Sequence, residues 1–196
     1  MPEIEYVEDR MESEELLERL CPPVRNWFKD KFPDFTEPQK VAIPRILNGE
    51  HLLLCSPTGS GKTLTAFLTI IDDLVRRSLD GSLPDAVQCV YISPIKALAN
   101  DIEKNLMGPL GEIKDRYLPS RAKEIKVGLR TGDTPQSERE KMLRKPPHIL
   151  ITTPESLGLG LASKRFRPIL DQMKWFIIDE MHSLVPTKRG THLSLS

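Results

Sequence analysis

Short apolar runs alternate with helical stretches over most of the sequence, and this alternation limits the possible folds more than any other feature. The runs are Leu52–Cys55, Val87–Ile92, Ile125–Arg130, Ile149–Thr152 and Trp175–Ile178. Near-continuous apolar residues are typical of strands that are covered on both faces. Helical patterns separate them, notably over Lys62–Leu79 and Ala97–Leu110. The sequence therefore predicts right-handed βαβ crossovers and a doubly wound, mainly parallel α/β sheet flanked by helices.

The first 50 residues predict a short helical lead-in instead of strands. Ser13 is a candidate cap for a first helix, and Pro22 and Pro38 each stand where a further helix can begin. Residues 1–20 carry eight acidic and two basic side chains, whereas the whole chain has a formal net charge of zero. We therefore predict an acidic helical extension over residues 1–20 and one main domain over residues 21–196.

A glycine-rich segment follows the first apolar run and opens the helix that begins at Lys62. Its residues are Ser56, Pro57, Thr58, Gly59, Ser60, Gly61, Lys62 and Thr63. Glycines allow the backbone to approach phosphates, and the amides of a helix N-terminus favour an anion. Lys62 is then placed to reach the β- and γ-phosphates and Thr63 to donate its hydroxyl oxygen to Mg²⁺. The full pattern begins with glycine, and Ser56 stands at that position.

Two adjacent carboxylates, Asp179 and Glu180, follow the last apolar run directly. In open α/β sheets, ligands bind at the carboxyl ends of the strands. Paired carboxylates at such a place are costly unless a cation is near. We expect Asp179 to hold Mg²⁺ and Glu180 to orient and polarise the attacking water, and the alternative is a solvated acidic turn.

Together, the Pro57–Thr63 segment and Asp179-Glu180-Met181-His182 resemble the first RecA-like motor domain of a superfamily-two DExH-box helicase. Phe35-Thr36-Glu37-Pro38-Gln39 resembles the family segment whose glutamine recognises adenine, which implies that role for Gln39. Within this superfamily, Ser93–Leu110 and Lys188–Leu193 are most similar to the large helicase-related (Lhr) family. Its members are ATP-driven translocases that move three-prime to five-prime on single strands, in DNA repair or RNA metabolism.

The resemblance also implies a nucleic-acid track along the ends of the strands. Three further motifs occur in the family's order, and the residues they supply are Pro94, Lys96, Ala97, Thr131, Gly132, Thr153, Pro154 and Glu155. Hydroxyls and helix-start amides can hold the sugar–phosphate backbone without reading bases, so binding is expected to tolerate sequence. His182 would couple the nucleotide to a second domain, although a lone histidine is more often a surface residue.

The resemblance implies ATP and Mg²⁺ as cofactors, and single-stranded DNA or RNA and a second RecA-like domain as partners. In this family the second domain supplies the arginines that neutralise the transferring phosphate, and an arginine finger is worth roughly 10³–10⁵ in rate. We therefore expect the 196 residues alone to bind nucleotide weakly and to be nearly inactive as an ATPase.

Two other classes share parts of this pattern. A P-loop kinase or GTPase has the same phosphate loop, but the guanine-binding Asn-Lys-x-Asp sequence does not occur here. A non-hydrolysing nucleic-acid-binding module has the same fold, yet both the loop lysine and the paired carboxylates are present.

No apolar run approaches the roughly 20 residues that a membrane-spanning helix needs. The cysteines, Cys21, Cys55 and Cys89, are odd in number and lie in apolar surroundings. This favours three buried free thiols in a reducing cytoplasm over a disulfide framework or a zinc site.

Overall fold

The computed structural model of this 196-residue chain describes residues 6–7, 9–57, 59–93 and 102–181. The chain divides into two units, Met1–Leu79 with Lys104–Ala122, and Asp80–Glu103 with Lys123–Ser196. The boundary at residue 20 between an acidic extension and a main domain stays a prediction. Among the described residues, no helix combines the length and the apolar composition that spanning a membrane requires.

The first unit is helical in its described residues. Its helices are α1 (Ser13–Arg19), α2 (Pro22–Lys31), α3 (Glu37–Leu47), α4 (Lys62–Asp80) and α5 (Gly108–Tyr117), the last continuing a π-helical stretch at Glu103–Met107. Prolines occupy the first turns of α2, α3 and α5, where a missing backbone N–H costs nothing. The predicted cap at Ser13 is wrong, because the extended backbone and cap position belong to Glu12 and Ser13 is already helical.

Packing within the first unit combines aromatic rings with a buried carboxylate whose oxygens are both hydrogen-bonded. Phe35 stacks on Phe28 with ring centroids 4.0 Å apart, so this phenylalanine is a core residue. The buried Asp72 of α4 accepts the backbone N–H of Cys21 at 2.6 Å and the Nε–H of Arg76 at 2.7 Å. Because each carboxylate oxygen has a donor, a charged side chain is tolerated inside this unit.

A four-stranded parallel sheet forms the centre of the second unit. Its strands are β1 (Cys89–Ile92), β2 (Val127–Arg130), β3 (Ile149–Thr152) and β4 (Trp175–Ile178), in the order β2-β3-β1-β4. The helices α6 (Gln136–Arg144) and α7 (Pro154–Leu161) connect to it, with a 3₁₀ turn at Arg167–Leu170. All four residues of β1 and of β3 are buried, as expected for inner strands, whereas both edge strands expose one side chain each.

One face of this sheet is covered by a small apolar core. Its buried residues are Val87, Val90, Ile92, Leu150, Leu157, Phe166 and Ile169. Phe166 also lies under the guanidinium of Arg130, which is 4.2 Å from the ring centroid. The core therefore joins two strands of the sheet to α7 and to the 3₁₀ turn that follows it.

The predicted parallel α/β architecture is confirmed, and β3 and β4 have the predicted bounds. The predicted strand Leu52–Cys55 is wrong, since residues 51–57 form no strand and Leu53 is 66% exposed. A strand exists only where a neighbour accepts and donates its ladder hydrogen bonds, and an apolar run does not specify that neighbour. The first part of the predicted helix Ala97–Leu110 lies outside the described residues.

All three cysteines are free, as predicted, but they are not all buried. Cys21 and Cys89 are buried, and burial raises the pKa of the Cys21 thiol to about 12 and the pKa of Cys89 as well. Cys55 is exposed, because the segment that contains it forms no strand.

Candidate functional site

The glycine-rich segment forms a tight turn that leads into α4. Gly59 has φ +80° and Gly61 has φ +85°, a backbone conformation that favours glycine. Within the turn, Ser60 Oγ donates to the carbonyl oxygen of Pro57 at 2.8 Å and lies 2.6 Å from Ser56 Oγ. These contacts shape the described part of the loop, and Thr58 lies outside the described residues.

Lys62 begins α4, and its side chain folds back over the loop. Its Nζ donates to the carbonyl oxygens of Ser56 and Pro57, the latter at 2.8 Å. The ammonium is thus held by neutral backbone oxygens at the N-terminus of a 19-residue helix. Thr63 is the second residue of the same helix, so the described phosphate-loop residues form the glycine turn and the first two positions of α4.

Gln39 contacts this loop, an arrangement that the sequence reasoning did not foresee. Its Oε1 accepts the backbone N–H of Thr36 at 2.9 Å as part of a capping box on α3. Thr36 Oγ1 in turn donates to the carbonyl oxygen of Ser60 at 2.8 Å. Gln39 Nε2 lies 2.8 Å from the point where a Cβ on Gly61 would stand. The close approach of the amide therefore depends on glycine at position 61.

Asp179 is held in place immediately after β4. Its backbone N–H donates to the carbonyl oxygen of Ile92 at 2.8 Å, which continues the ladder between β4 and β1 by one residue. Oδ1 accepts the backbone N–H of Glu180 at 2.9 Å, and Oδ2 accepts the hydroxyl of Tyr91. Glu180 has φ +51°, an uncommon left-handed conformation for a residue other than glycine that is often found at functional sites.

Two of the predicted nucleic-acid segments lie at neighbouring strand ends. Thr131 and Gly132 follow β2, while Thr153, Pro154 and Glu155 follow β3 and begin α7. Because β2 and β3 are parallel neighbours, their carboxyl ends lie at the same edge of the sheet. Thr153 Oγ1 accepts the backbone N–H of Ser156 at 3.3 Å, so this hydroxyl caps α7.

Four further predicted site residues, Pro94, Lys96, Ala97 and His182, lie outside the described residues.

The turn at Thr131 and Gly132 is supported by two side chains that the motif pattern did not indicate. Thr134 Oγ1 accepts the backbone N–H of Thr131 at 2.8 Å. Arg139 Nη2 donates to the carbonyl oxygens of Thr131 at 3.0 Å and Gly132 at 2.7 Å. The Arg139 charge also repels Arg130, and this repulsion adds to burial in lowering the pKa of Arg130. No sequence signal distinguishes Arg139 from the other basic residues nearby.

The donor atoms of the predicted metal residues fit magnesium. Asp179 offers a carboxylate and Thr63 a hydroxyl, and Mg²⁺ prefers oxygen ligands and retains several waters or phosphate oxygens. Among the described residues, no group of three or more His, Cys, Asp or Glu side chains is placed to hold a metal ion. Each of the two side chains is therefore an oxygen donor of the kind that binds a phosphate-bound Mg²⁺.

Comparison with known proteins identifies the family. The DEAD/DEAH box helicase profile matches residues 36–195. The ATP-dependent helicase Lhr-Core of Methanocaldococcus jannaschii is 49% identical in an alignment of 198 positions that covers all of this chain and 23% of that protein. Its namesake from Methanothermobacter thermautotrophicus is 55% identical over 178 residues, 90% of this chain and 21% of that protein.

A solved structure agrees with both sequence comparisons. It is Mycobacterium smegmatis helicase Lhr bound to ssDNA and AMP-PNP, with a TM-score of 0.80 and 44% identity over 92% of this chain and 22% of that one. This chain thus spans about a fifth of the length of these relatives. Since the family profile covers more than half of the sequence and agrees with the motifs and the sheet, the chain belongs to the DEAD/DEAH box helicase family.

Proposed function

We propose that this chain is the ATP-binding first motor domain of an ATP-dependent helicase or translocase that acts on single-stranded nucleic acid. The observation that carries the proposal is the loop at Gly59–Gly61, with the Lys62 ammonium folded over it. In that position the ammonium is held by neutral carbonyl oxygens. Both of these hydrogen bonds have a charged donor but a neutral acceptor. A phosphate oxygen would add Coulomb attraction between opposite charges, so a phosphate would draw Lys62 away from the loop.

The nucleotide roles are assigned by motif to the loop, to Gln39 and to the paired carboxylates that follow β4. Lys62 binds the β- and γ-phosphates, and Thr63 with Asp179 holds Mg²⁺, which neutralises phosphate charge when bound. Glu180 orients the attacking water and accepts its proton. Gln39 uses its NH₂ donors and the second lone pair of Oε1 to bind the adenine edge. The close approach of the Gln39 amide to Gly61 supports this role, because base and phosphates belong to one ligand.

The nucleic-acid role is assigned to the strand ends of the second unit. Thr131, Gly132, Thr153, Pro154 and Glu155 supply hydroxyls, amides and a helix start, which suit a sugar–phosphate backbone. The M. smegmatis relative was solved with ssDNA and AMP-PNP, which supports single strands and ATP as ligands here. We also assign Pro94, Lys96 and Ala97 to this track.

The same proposal assigns His182 to the coupling of nucleotide and nucleic acid. The remainder of the complete protein is proposed to supply a second RecA-like domain with the arginines that complete the ATPase. We place the protein in the cytoplasm, since its free thiols suit a reducing compartment.

Two substitutions in the complete protein test the nucleotide roles. Lys62→Ala should weaken binding of a fluorescent ATP analogue roughly 10- to 100-fold, because a hydrogen bond to a charged group is worth about 1.5–3 kcal/mol. Glu180→Gln should leave that affinity within about threefold while ATP hydrolysis falls by roughly 10²–10⁴, the usual contribution of a general base. Lys29→Ala, at an exposed position of α2, is the matched control and should change neither quantity.

Competition experiments test the choice of nucleotide. ADP should displace the bound analogue and GDP should not, if Gln39 selects adenine. In the substitution experiment, ATP hydrolysis by Glu180→Gln at the rate of the unsubstituted protein would refute the role assigned to Glu180. Equal displacement by GDP would favour a different class of P-loop protein.

A further inference from the structure

Tyr91 connects β1 to the acidic motif that follows β4. It is the third residue of β1, only 2% of its surface is exposed, and its hydroxyl donates to Oδ2 of Asp179. β1 and β4 are paired in parallel, with Tyr91 opposite Ile177. No motif that we used to identify the chain includes this tyrosine.

The register of the sheet explains how the two groups meet. Side chains alternate between the faces of a strand, so Asp179 points to the same face as Ile177, two residues earlier. Two residues of strand span roughly 6–7 Å. A tyrosine opposite Ile177 is long enough for its hydroxyl to reach the Asp179 carboxylate, two residues further along the chain. A shorter side chain at position 91 would not reach it.

The Tyr91 hydroxyl and the backbone N–H of Glu180 bind different oxygens of the Asp179 carboxylate. The N–H of Glu180 engages Oδ1 of Asp179 at 2.9 Å, and Tyr91 engages Oδ2. A donor on each oxygen restricts rotation of the carboxylate about its Cβ–Cγ bond. An ionised carboxylate has about four lone-pair sites, so two remain for a cation.

We propose that Tyr91 is a positioning residue that orients the Asp179 carboxylate for magnesium bound with the nucleotide. The inference rests on the proposed role of Asp179. Partners that hydrogen-bond to metal-ligating side chains typically contribute 10- to 100-fold to metal affinity or activity. Tyr91 therefore sets how much Mg²⁺ the protein needs, without itself contacting metal or nucleotide.

The test is Tyr91→Phe in the complete protein, which removes the hydroxyl and retains the ring. The Mg²⁺ concentration that gives half-maximal binding of a fluorescent ATP analogue should rise roughly 10- to 100-fold. Binding of the same analogue in EDTA should be unchanged. Tyr117→Phe is the matched control, because the Tyr117 hydroxyl also donates to an aspartate, Asp30 at an exposed position, and its loss should leave the Mg²⁺ midpoint unchanged.

A rescue separates positioning from packing. 4-Aminophenylalanine at position 91 restores an N–H donor on a ring of the same shape. Since losing the contact should cost roughly 10- to 100-fold, this variant should return the Mg²⁺ midpoint to within about threefold of the tyrosine value. A structural role alone would instead lower the unfolding temperature of Tyr91→Phe and change binding in EDTA as well.

Two outcomes would count against different statements. If Tyr91→Phe keeps the original Mg²⁺ midpoint while Asp179→Asn loses the Mg²⁺ dependence, Tyr91 does not position the carboxylate and the proposed function stands. If Asp179→Asn itself retains the original Mg²⁺ dependence, the proposed metal role of Asp179 fails, and the role of Tyr91 fails with it.

Discussion

Two helical glycines provide a controlled test of the packing in this chain. Gly160 lies in α7 and Gly111 in α5. A Cβ at Gly160 would stand 2.7 Å from two carbons of the Phe166 ring, whereas a Cβ at Gly111 would meet no atom within 4 Å. Alanine at the exposed Gly111 therefore reports helix propensity alone, whereas alanine at the buried Gly160 also collides with Phe166.

The expected free energies follow from that difference. In a helix interior, alanine is about 1 kcal/mol more favourable than glycine, so Gly111→Ala should stabilise the protein by about this amount. Phe166 is 1% exposed and belongs to the apolar core under Arg130, so its ring has no free space to enter. Overpacking costs about 1–3 kcal/mol, which leaves Gly160→Ala between roughly neutral and 2 kcal/mol destabilising.

Urea and thermal unfolding measure this difference directly. A change of 1 kcal/mol shifts the melting temperature of a protein of this size by about 2–4 °C, so the two variants should move in opposite directions or differ by several degrees. Phe166→Leu in the Gly160→Ala background should recover part of the loss, because a smaller side chain gives the new methyl group room. Equal stabilisation by both alanines would refute the packing described for α7.

Two further predictions concern pH and the phosphate loop. His148 is fully buried, and burial, followed by repulsion from Lys123 and Lys126, lowers its pKa below 6.5. The unfolded chain then binds the proton at higher pH than the folded chain, so stability should be fully present above about pH 6.5 and should fall as the pH decreases. His148→Asn should flatten this dependence in urea unfolding at several pH values, and a profile identical to that of the original protein would contradict the prediction. In the loop, alanine at Gly59 and at Gly61 each incurs about 1–2 kcal/mol of left-handed backbone strain, but only Gly61→Ala also displaces Gln39. The free energy of unfolding should therefore fall further for Gly61→Ala than for Gly59→Ala. If the difference between the two variants persists in a Gln39→Ala background, displacement of Gln39 is not its cause.

The parts of the fold that the sequence predicts are those with local causes. The sequence predicts β3 and β4 with their observed bounds, since each is a short apolar run with polar residues or turns on both sides. α2 and α3 begin at or one residue before their prolines, and α4 begins at Lys62 directly after the glycine turn. In each case the residues that form or end the element are neighbours in the chain.

The errors arise where an element depends on a distant partner. The run at Leu52–Cys55 is as apolar as the strands that form, yet it is exposed and unpaired in the described structure. An apolar composition predicts that a segment is buried, but the segment is a strand only if its backbone hydrogen-bonds to a neighbouring strand. The exposure of Cys55 follows from the same cause.

The candidate sites divide in the same way. Lys62, Thr63, Asp179 and Glu180 belong to contiguous motifs, because the groups proposed to touch a ligand must be presented together by one turn or one strand end. The contacts that hold those motifs in place join residues far apart in the chain, such as Tyr91 and Asp179, 88 positions apart. A hydroxyl on an apolar strand has no distinguishing local pattern and is indistinguishable from a core residue until the register of the sheet is known. Motifs therefore identify the groups that are proposed to meet the nucleotide, whereas the positioning of those groups can be inferred only from the structure.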